Sequence, residues 1–391
     1  MNSRMMESHK QQFRSDPLLV AVTVSLLFIG YVMVASSSLH LGLEQKQDSF
    51  HYPVRQLAHI VLGLLMAFGI TKIPMASWQK MGSGAFISGL FLLVIVLIPG
   101  LGVKVNGSIR WLSLGGLRIQ VSEVVKFFSV VYMAGYVTRH QEDLQGSAYG
   151  IIKPLLLFSV ACVLLLLEPD FGSAVVILMI AMGMMFLGGA RLKQFIILLV
   201  LVVALAAALV IVAPYRMARL VSFIDPFKDY LKSGYQLSQA LISFGRGEIL
   251  GVGLGSGIQK LFYLPEAHTD FLFSVIGEEL GLIGVTTVIA LYALLIWRAF
   301  TIAVAAEQAG QRFSAFIAYG LAIWLGFQSF VNMGVNMGIL PTKGLTLPLM
   351  SYGGSSMMIM CCAIALLFRV HSETADLFVQ VPQERTKWAS A

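Results

Sequence analysis

Ten apolar stretches recur along this chain, at residues 17–39, 54–71, 83–99, 120–137, 151–167, 171–189, 193–213, 270–297, 313–336 and 345–370. Each approaches the roughly 20 residues that a helix needs to cross a bilayer. In hydrocarbon a spanning segment must satisfy its own backbone hydrogen bonds, so the pattern predicts helices rather than open sheet. With 57% of residues hydrophobic and 12% charged, nothing is left for a separate soluble domain. The expected fold is all-α: one polytopic membrane domain of about ten transmembrane helices over 17–370, with polar tails at 1–16 and 371–391.

Residues 1–16 carry Arg4, Lys10 and Arg14, and no small-residue cleavage site follows the first span, which reads as a retained anchor. Ten spans place both termini on one side. The segments on that side hold 14 of the 27 Lys and Arg residues and the short opposite loops hold five, so both termini are expected to be cytoplasmic. The long loop 214–269, between the seventh and eighth spans, then faces outward. The net charge of +7 is scattered over loops, which fits topology and affinity for anionic membrane lipids rather than nucleic acid. Cys162, Cys361 and Cys362 lie in apolar runs and form neither a disulfide framework nor a zinc pattern. The seven histidines show no metal spacing, and no P-loop is present. Gly251-Val-Gly-Leu-Gly-Ser-Gly257 lacks the βαβ context of a dinucleotide site. No internal repeat is evident, which disfavours an inverted-repeat transporter.

Charge inside a span is costly and is usually kept for substrate handling. Pro265-Glu-Ala-His-Thr-Asp270-Phe opens the eighth span, with Glu278 and Glu279 two turns inside it. In the fourth span, Ser122-Glu123-Val-Val-Lys126 sets an acid and a base on one helix face, as a local ion pair or as part of a cavity. In the ninth, Gln328, Asn332 and Asn336 form a polar stripe that suits interhelical hydrogen bonding and a water-filled cavity equally well. Ser351-Tyr-Gly-Gly-Ser355-Ser356 opens the tenth with small polar residues, fit for close packing or for a site. Within the long loop, Leu237, Ala240, Leu241 and Phe244 fall at helical spacing opposite Gln236, Gln239 and Ser243, which predicts a short helix lying on the membrane surface.

On this topology all the polar intramembrane groups except the deeper Glu278 and Glu279 fall in the outer leaflet, which suggests one outward-facing cavity. Nearby loops offer Arg110, Arg246, Lys260 and the glycine run 245–257, and guanidinium groups and loop N–H groups suit phosphate. A lipid-linked phosphate is the implied ligand class. Asp270, beginning a helix, would be held ionised by the helix dipole and could take a proton from an attacking hydroxyl.

Several motifs together resemble the SEDS family, the shape, elongation, division and sporulation proteins. They are Pro265-Glu-Ala-His-Thr-Asp270-Phe with Gly277-Glu-Glu279-Leu-Gly281, Glu168-Pro-Asp170-Phe-Gly172, Ser122-Glu123 with Lys126, and Pro341-Thr-Lys343-Gly-Leu with Ser351-Tyr-Gly-Gly-Ser355. Gln259-Lys-Leu-Phe-Tyr-Leu-Pro-Glu-Ala-His268 and Asn332-Met-Gly-Val-Asn336-Met-Gly are more similar to its division branch than to its elongation branch. The likeness runs from about residue 17 to 370.

The resemblance implies a peptidoglycan glycosyltransferase of the bacterial inner membrane that polymerises lipid II at the division septum. It implies inverting transfer, with Asp270 as general base for the acceptor hydroxyl. Substrate-binding roles fall on Glu123, Lys126, Arg110, Trp111, Arg246, His268 and Ser355, and a divalent cation (Mg or Mn) could share the pyrophosphate charge. The implied partners are the class B penicillin-binding transpeptidase FtsI and the FtsQ, FtsL and FtsB regulators. Two other roles stay open at this level: lipid II flippase, and non-catalytic scaffold for the transpeptidase.

Overall fold

In a computed structural model of the chain, the described residues are 14–388, without 106–107, 116, 213, 229–233 and 343. Ten apolar helices match the ten stretches: α1 (Pro17–Lys46), α2 (His51–Lys72), α3 (Met75–Leu97), α4 (Val121–Arg139), α6 (Tyr149–Leu167), α7 (Phe171–Leu187), α8 (Leu192–Val212), α11 (Leu272–Gln308), α12 (Arg312–Asn336) and α13 (Gly354–Trp388). Among the described residues, nine of these helices are long and apolar enough to cross a membrane, and α7 has 17 residues. α4, α12 and α13 form the buried centre of the bundle, whereas none of the described residues of the apolar window of α8 is fully buried and Phe195, Leu198 and Val202 are only partly covered. The outward faces of α2, α3, α6 and α8 expose Phe68, Phe91, Leu156 and Val200, as lipid-facing surfaces would.

Local chemistry sets the ends of these helices. Asp16 caps α1 by accepting from the Leu18 and Leu19 amides at 3.1 and 3.3 Å, ahead of Pro17 in the first turn. Its other oxygen pairs with Arg298 near the far end of α11. Small residues let helices meet closely in the apolar interior. At Gly63, a Cβ would stand 3.0 Å from the Cys361 sulfur, which ties α2 to α13.

The first outer loop is not irregular. β1 (Gly102–Val105), β2 (Ser108–Leu114) and β3 (Leu117–Gln120) make an antiparallel sheet in the order β1-β2-β3. Trp111 on β2 stands opposite Val103 on one side and Gln120 on the other. β3 runs directly into α4, so the sheet fixes where Glu123 and Lys126 begin. The short α5 (Gln141–Gly146) lies between α4 and α6, and of the long loop α9 (Pro214–Ile224) and α10 (Tyr235–Gly247) are helical.

Two expectations need correction. α10 does not lie on the membrane surface: Leu237, Ser238, Gln239, Ala240 and Ser243 are all buried, and the helix packs on α11. A Cβ on Gly247 would fall 1.8 Å from the Gly277 carbonyl oxygen, so only glycine allows this approach. The eighth span is also not one continuous helix. Gly281 has φ 61° and ψ −159° inside α11, separating a short segment, 272–280, from the long helix beyond it. The tenth span likewise becomes helical only at Gly354.

Candidate functional site

At the end of the bundle that carries the sheet lies a cavity of about 560 Å³, within the usual range for ligand pockets. Arg110, Trp111, Glu123, Asp170, Glu266, Asp270 and Tyr352 stand in its wall. Val210 of α8 and Leu220 of α9 give it an apolar side.

Asp270 sits two residues ahead of α11, with Phe271 as N-cap. The polar stripe of α12 holds it there. Asn332 and Asn336 each donate from Nδ2 to the Asp270 carbonyl oxygen at 2.9 Å. Asn336 Oδ1 in turn accepts from the Ser274 amide at 3.0 Å and its hydroxyl at 2.7 Å, capping the first turn of α11. Asn332 and Asn336 of the stripe are therefore hydrogen-bonding glue for this turn, while Gln328 serves Lys126 and Trp324. Beside the carboxylate, a Cβ on Gly344 would stand 3.1 Å from Asp270 Oδ2, so glycine there leaves the acid its room. Lys343, next to it in the sequence motif, lies outside the described residues.

Across the cavity, β2 presents Arg110. Its Nε donates to the Glu168 carbonyl oxygen at 3.0 Å and its Nη2 to that of Pro169, so the turn between α6 and α7 aims the guanidinium. Asp170, whose role sequence reasoning missed, caps α7. It accepts from the Ser173 amide at 3.2 Å, from Ser173 Oγ at 2.8 Å and from Ser122 Oγ at 2.9 Å, which joins the starts of α7 and α4. Glu168 is fully buried and neither carboxyl oxygen has a hydrogen-bond partner among the described residues. Burial, reinforced by the Asp170 charge and opposed by Arg110, pushes its carboxyl up to about 8.

Of the predicted site residues, Asp270, Arg110, Trp111 and Glu123 meet at the cavity; the others are displaced from it. Lys126 is 0% exposed. Its ammonium donates to Glu123 Oε1 at 2.7 Å and Gln328 Oε1 at 3.0 Å, over the Trp324 ring. It holds Glu123 from behind the cavity wall and is not itself among the lining residues. Ser355 accepts from the Gln120 amide at 3.1 Å, joining α13 to the β3–α4 junction, and its neighbour Ser356 faces the cavity. His268 packs between the rings of Tyr52 and Tyr352, with centroids 5.1 and 5.3 Å away. Burial lowers its pKa, opposed by Glu266.

Arg246 is the clearest correction. It lies outside the cavity and pairs with Glu278 at 3.0 Å. The glycine run does bind anions through its amides, as expected of such a loop, but the anions are the chain's own. Gly255 donates its N–H to Glu279 at 3.0 Å, and Ile258 donates its N–H to Glu278 at 2.9 Å. Lys260 completes the cluster against Glu279 and Ser36. Glu278 and Glu279 thus clamp the loop onto α11. The distinguishing signal was in the sequence: two adjacent acids balanced by Arg246 and Lys260.

Comparison with known proteins agrees with this geometry. The model of the FtsW, RodA and SpoVE family, described as cell cycle proteins, matches residues 17–376. A protein of Methylomonas methanica named "probable peptidoglycan glycosyltransferase FtsW" is 65% identical, covering 94% of each chain. One of the same name from Methylococcus capsulatus is 56% identical, covering 94% of this chain and 92% of that one. Among solved structures, one described as the structural coordination of polymerization and crosslinking by a peptidoglycan synthase complex superposes with TM-score 0.77 at 29% identity, covering 93% of this chain and 99% of that one. The rod shape determining protein RodA of Thermus thermophilus superposes with TM-score 0.68 at 28% identity, over 91% and 96% of the two chains. With nearly its whole length matched, from α1 into α13, the chain belongs to the FtsW, RodA and SpoVE family of cell cycle proteins.

Proposed function

We propose that the cavity around Asp270 is the glycosyl-transfer site of a septal peptidoglycan polymerase. The chain is a peptidoglycan glycosyltransferase of the FtsW type, a multi-pass protein of the inner membrane. Its single membrane domain, 17–370, has cytoplasmic tails at 1–16 and 371–391, so the cavity opens on the outer side, where lipid II awaits polymerisation.

The observation that carries the mechanism is the placing of the Asp270 carboxylate in the cavity wall by two asparagines that hold its own carbonyl. Asp270 takes the proton from the 4-hydroxyl of the acceptor GlcNAc as that oxygen attacks C1 of the donor MurNAc. The bond to undecaprenyl pyrophosphate breaks, and inversion gives the β-1,4 link. A carboxylate beside a helix start is a weak base, so positioning and a good leaving group supply much of the rate. Arg110 offers the pyrophosphate the donors its carbonyl anchors leave unused, Trp111 flanks it, and Glu123 receives polar groups of the sugar. The apolar side at Val210 and Leu220 suits the departing lipid chain. Among the described residues no group of three or more His, Cys, Asp or Glu side chains is arranged to hold a metal ion, and no step is routed through one.

Its partners on this reading are the class B penicillin-binding transpeptidase FtsI and the FtsQ, FtsL and FtsB regulators at the division septum. Likeness to a peptidoglycan synthase complex supports the first. The test is polymerisation of labelled lipid II by the purified protein with its cognate transpeptidase, wild type against Asp270→Asn. Glycan chains from wild type alone are expected. Equal chains from both would remove Asp270 as the base, and chains from neither, with the complex intact, would favour a flippase or scaffold.

A further inference from the structure

A second cleft lies at the opposite end of the bundle from Asp270, between α1, α2 and α13. It measures about 320 Å³. Leu27, Leu64 and Cys361 close its deep end, and Ser15, Thr71 and Lys72 stand at its mouth. Along α2, the nine residues from Leu64 to Lys72 span about 12 Å. The shape is a slot leading from the polar boundary into the apolar interior.

Two polar groups mark it. Thr23, 8% exposed, lines the cleft, and its hydroxyl has no hydrogen-bond partner among the described residues. Lys72 is exposed and has no ion-pair partner among the described residues; its ammonium rests 4.5 Å from the centroid of the Phe68 ring. Arg369 fixes the turn from which Lys72 emerges by donating to the Thr71 carbonyl oxygen at 3.1 Å.

We propose that this cleft is a binding site for an anionic phospholipid of the cytoplasmic leaflet. One acyl chain lies between α1, α2 and α13, and the headgroup phosphate sits on Lys72. The assignment uses the orientation proposed above but not the glycosyl-transfer reading. An apolar slot opening on bilayer hydrocarbon takes a chain from it, which fixes the occupant as lipid. The unpaired ammonium at its mouth then selects negative charge, because a basic group near the leaflet surface favours anionic headgroups. The Thr23 hydroxyl offers a donor to the same lipid's ester carbonyl, which accounts for a buried polar group otherwise left unmatched.

The test is native mass spectrometry of the full chain released from nanodiscs of equal phosphatidylglycerol and phosphatidylcholine, counting the lipids retained. Wild type is expected to retain one phosphatidylglycerol in preference. Lys72→Ala should lower that preference about fivefold, whereas Lys80→Ala, outside the cleft, should leave it unchanged. Ala67→Phe, which fills the slot from α2, should abolish retention of either lipid while the elution volume and melting profile stay those of wild type. Should Ala67→Phe disturb folding, Thr23→Val supplies the second reading: weaker retention of phosphatidylglycerol without loss of fold. Equal retention by wild type, Lys72→Ala and Thr23→Val would overturn the proposal. So would an equal effect of Lys80→Ala, which would mean surface charge alone. Displacement of phosphatidylglycerol by undecaprenyl phosphate at equal mole fraction would assign the slot to an isoprenoid chain and overturn it as well.

Discussion

Replacing Lys126 with methionine separates a structural ion pair from a substrate contact. Lys126 is enclosed, with Glu123 Oε1 at 2.7 Å and Gln328 Oε1 at 3.0 Å as its polar partners. Glu123 Oε2 has no hydrogen bond among the described residues, so the ammonium is the group that stabilises this carboxylate. Lys126→Met keeps the aliphatic stem but leaves the Glu123 charge uncompensated in the bundle. Removing one partner of a buried pair costs about 3–5 kcal/mol, whereas replacing both with neutral groups of similar volume is close to neutral. The double variant Lys126→Met with Glu123→Gln should therefore recover most of the loss, giving a coupling energy of about 2 kcal/mol or more. The assay is reversible unfolding in mixed micelles, read across all four members of the cycle. Lipid II polymerisation should fall in both single variants and stay low in the double variant, because the carboxylate at the cavity wall is still missing. A cost below about 1 kcal/mol for Lys126→Met, or simple additivity, would refute the pairing and return Lys126 to the ligand side.

Asn336→Ala should leave the Ser274 amide without its buried acceptor and loosen Asp270, costing about 2–4 kcal/mol of stability; single-turnover polymerisation should slow more than lipid II binding weakens. Arg246→Ala should cost about 1–3 kcal/mol, since Glu278 keeps its backbone amide partners, and should leave the apparent KM for lipid II unchanged because the side chain lies outside the cavity. Glu168 holds its proton more tightly folded than unfolded, with its carboxyl pushed up to about 8, so its contribution is fully present below the ordinary carboxylate range and lost as pH rises through 8. Melting of wild type should accordingly fall with rising pH over that window, and Glu168→Gln should flatten the fall.

The spans were legible because hydrophobic length is a one-dimensional property. Asp270 and Glu123 were legible as charges placed against an apolar background, and Arg110 as a cation of an outer loop. What the sequence did not disclose was direction. Lys126 and Arg246 are both basic and both near acids, yet Lys126 points into the bundle and Arg246 toward Glu278. That choice depends on which helices pack behind them, information carried by long-range contacts. The sheet at 102–120 was missed because its strands are short and its alternation is masked by the glycines. The docking of α10 was missed because its polar side is satisfied by the protein rather than by water, with Ser243 bonding back to the Gln239 carbonyl.

The break at Gly281 changes how the position of Asp270 has to be explained. Were α11 one rigid rod, the long membrane helix would set the aspartate's depth. Because the rod is interrupted, segment 272–280 is held from its two ends instead. At its start, Asn332 and Asn336 grip the Asp270 carbonyl and cap the first turn. At its finish, Glu278 and Glu279 are gripped by Arg246, Lys260 and the amides of 255–259. Gly247 lies against Gly277 between these anchors. The two acids that lie deepest in the eighth span are thus what hold a nine-residue helix, and with it the proposed base, against the cavity. Any displacement of loop 247–260 is transmitted to Asp270 over little more than two turns of helix, about 14 Å. Loosening the clamp should therefore change the rate of the chemical step while leaving the sugar and pyrophosphate contacts on β2 and α4 in place.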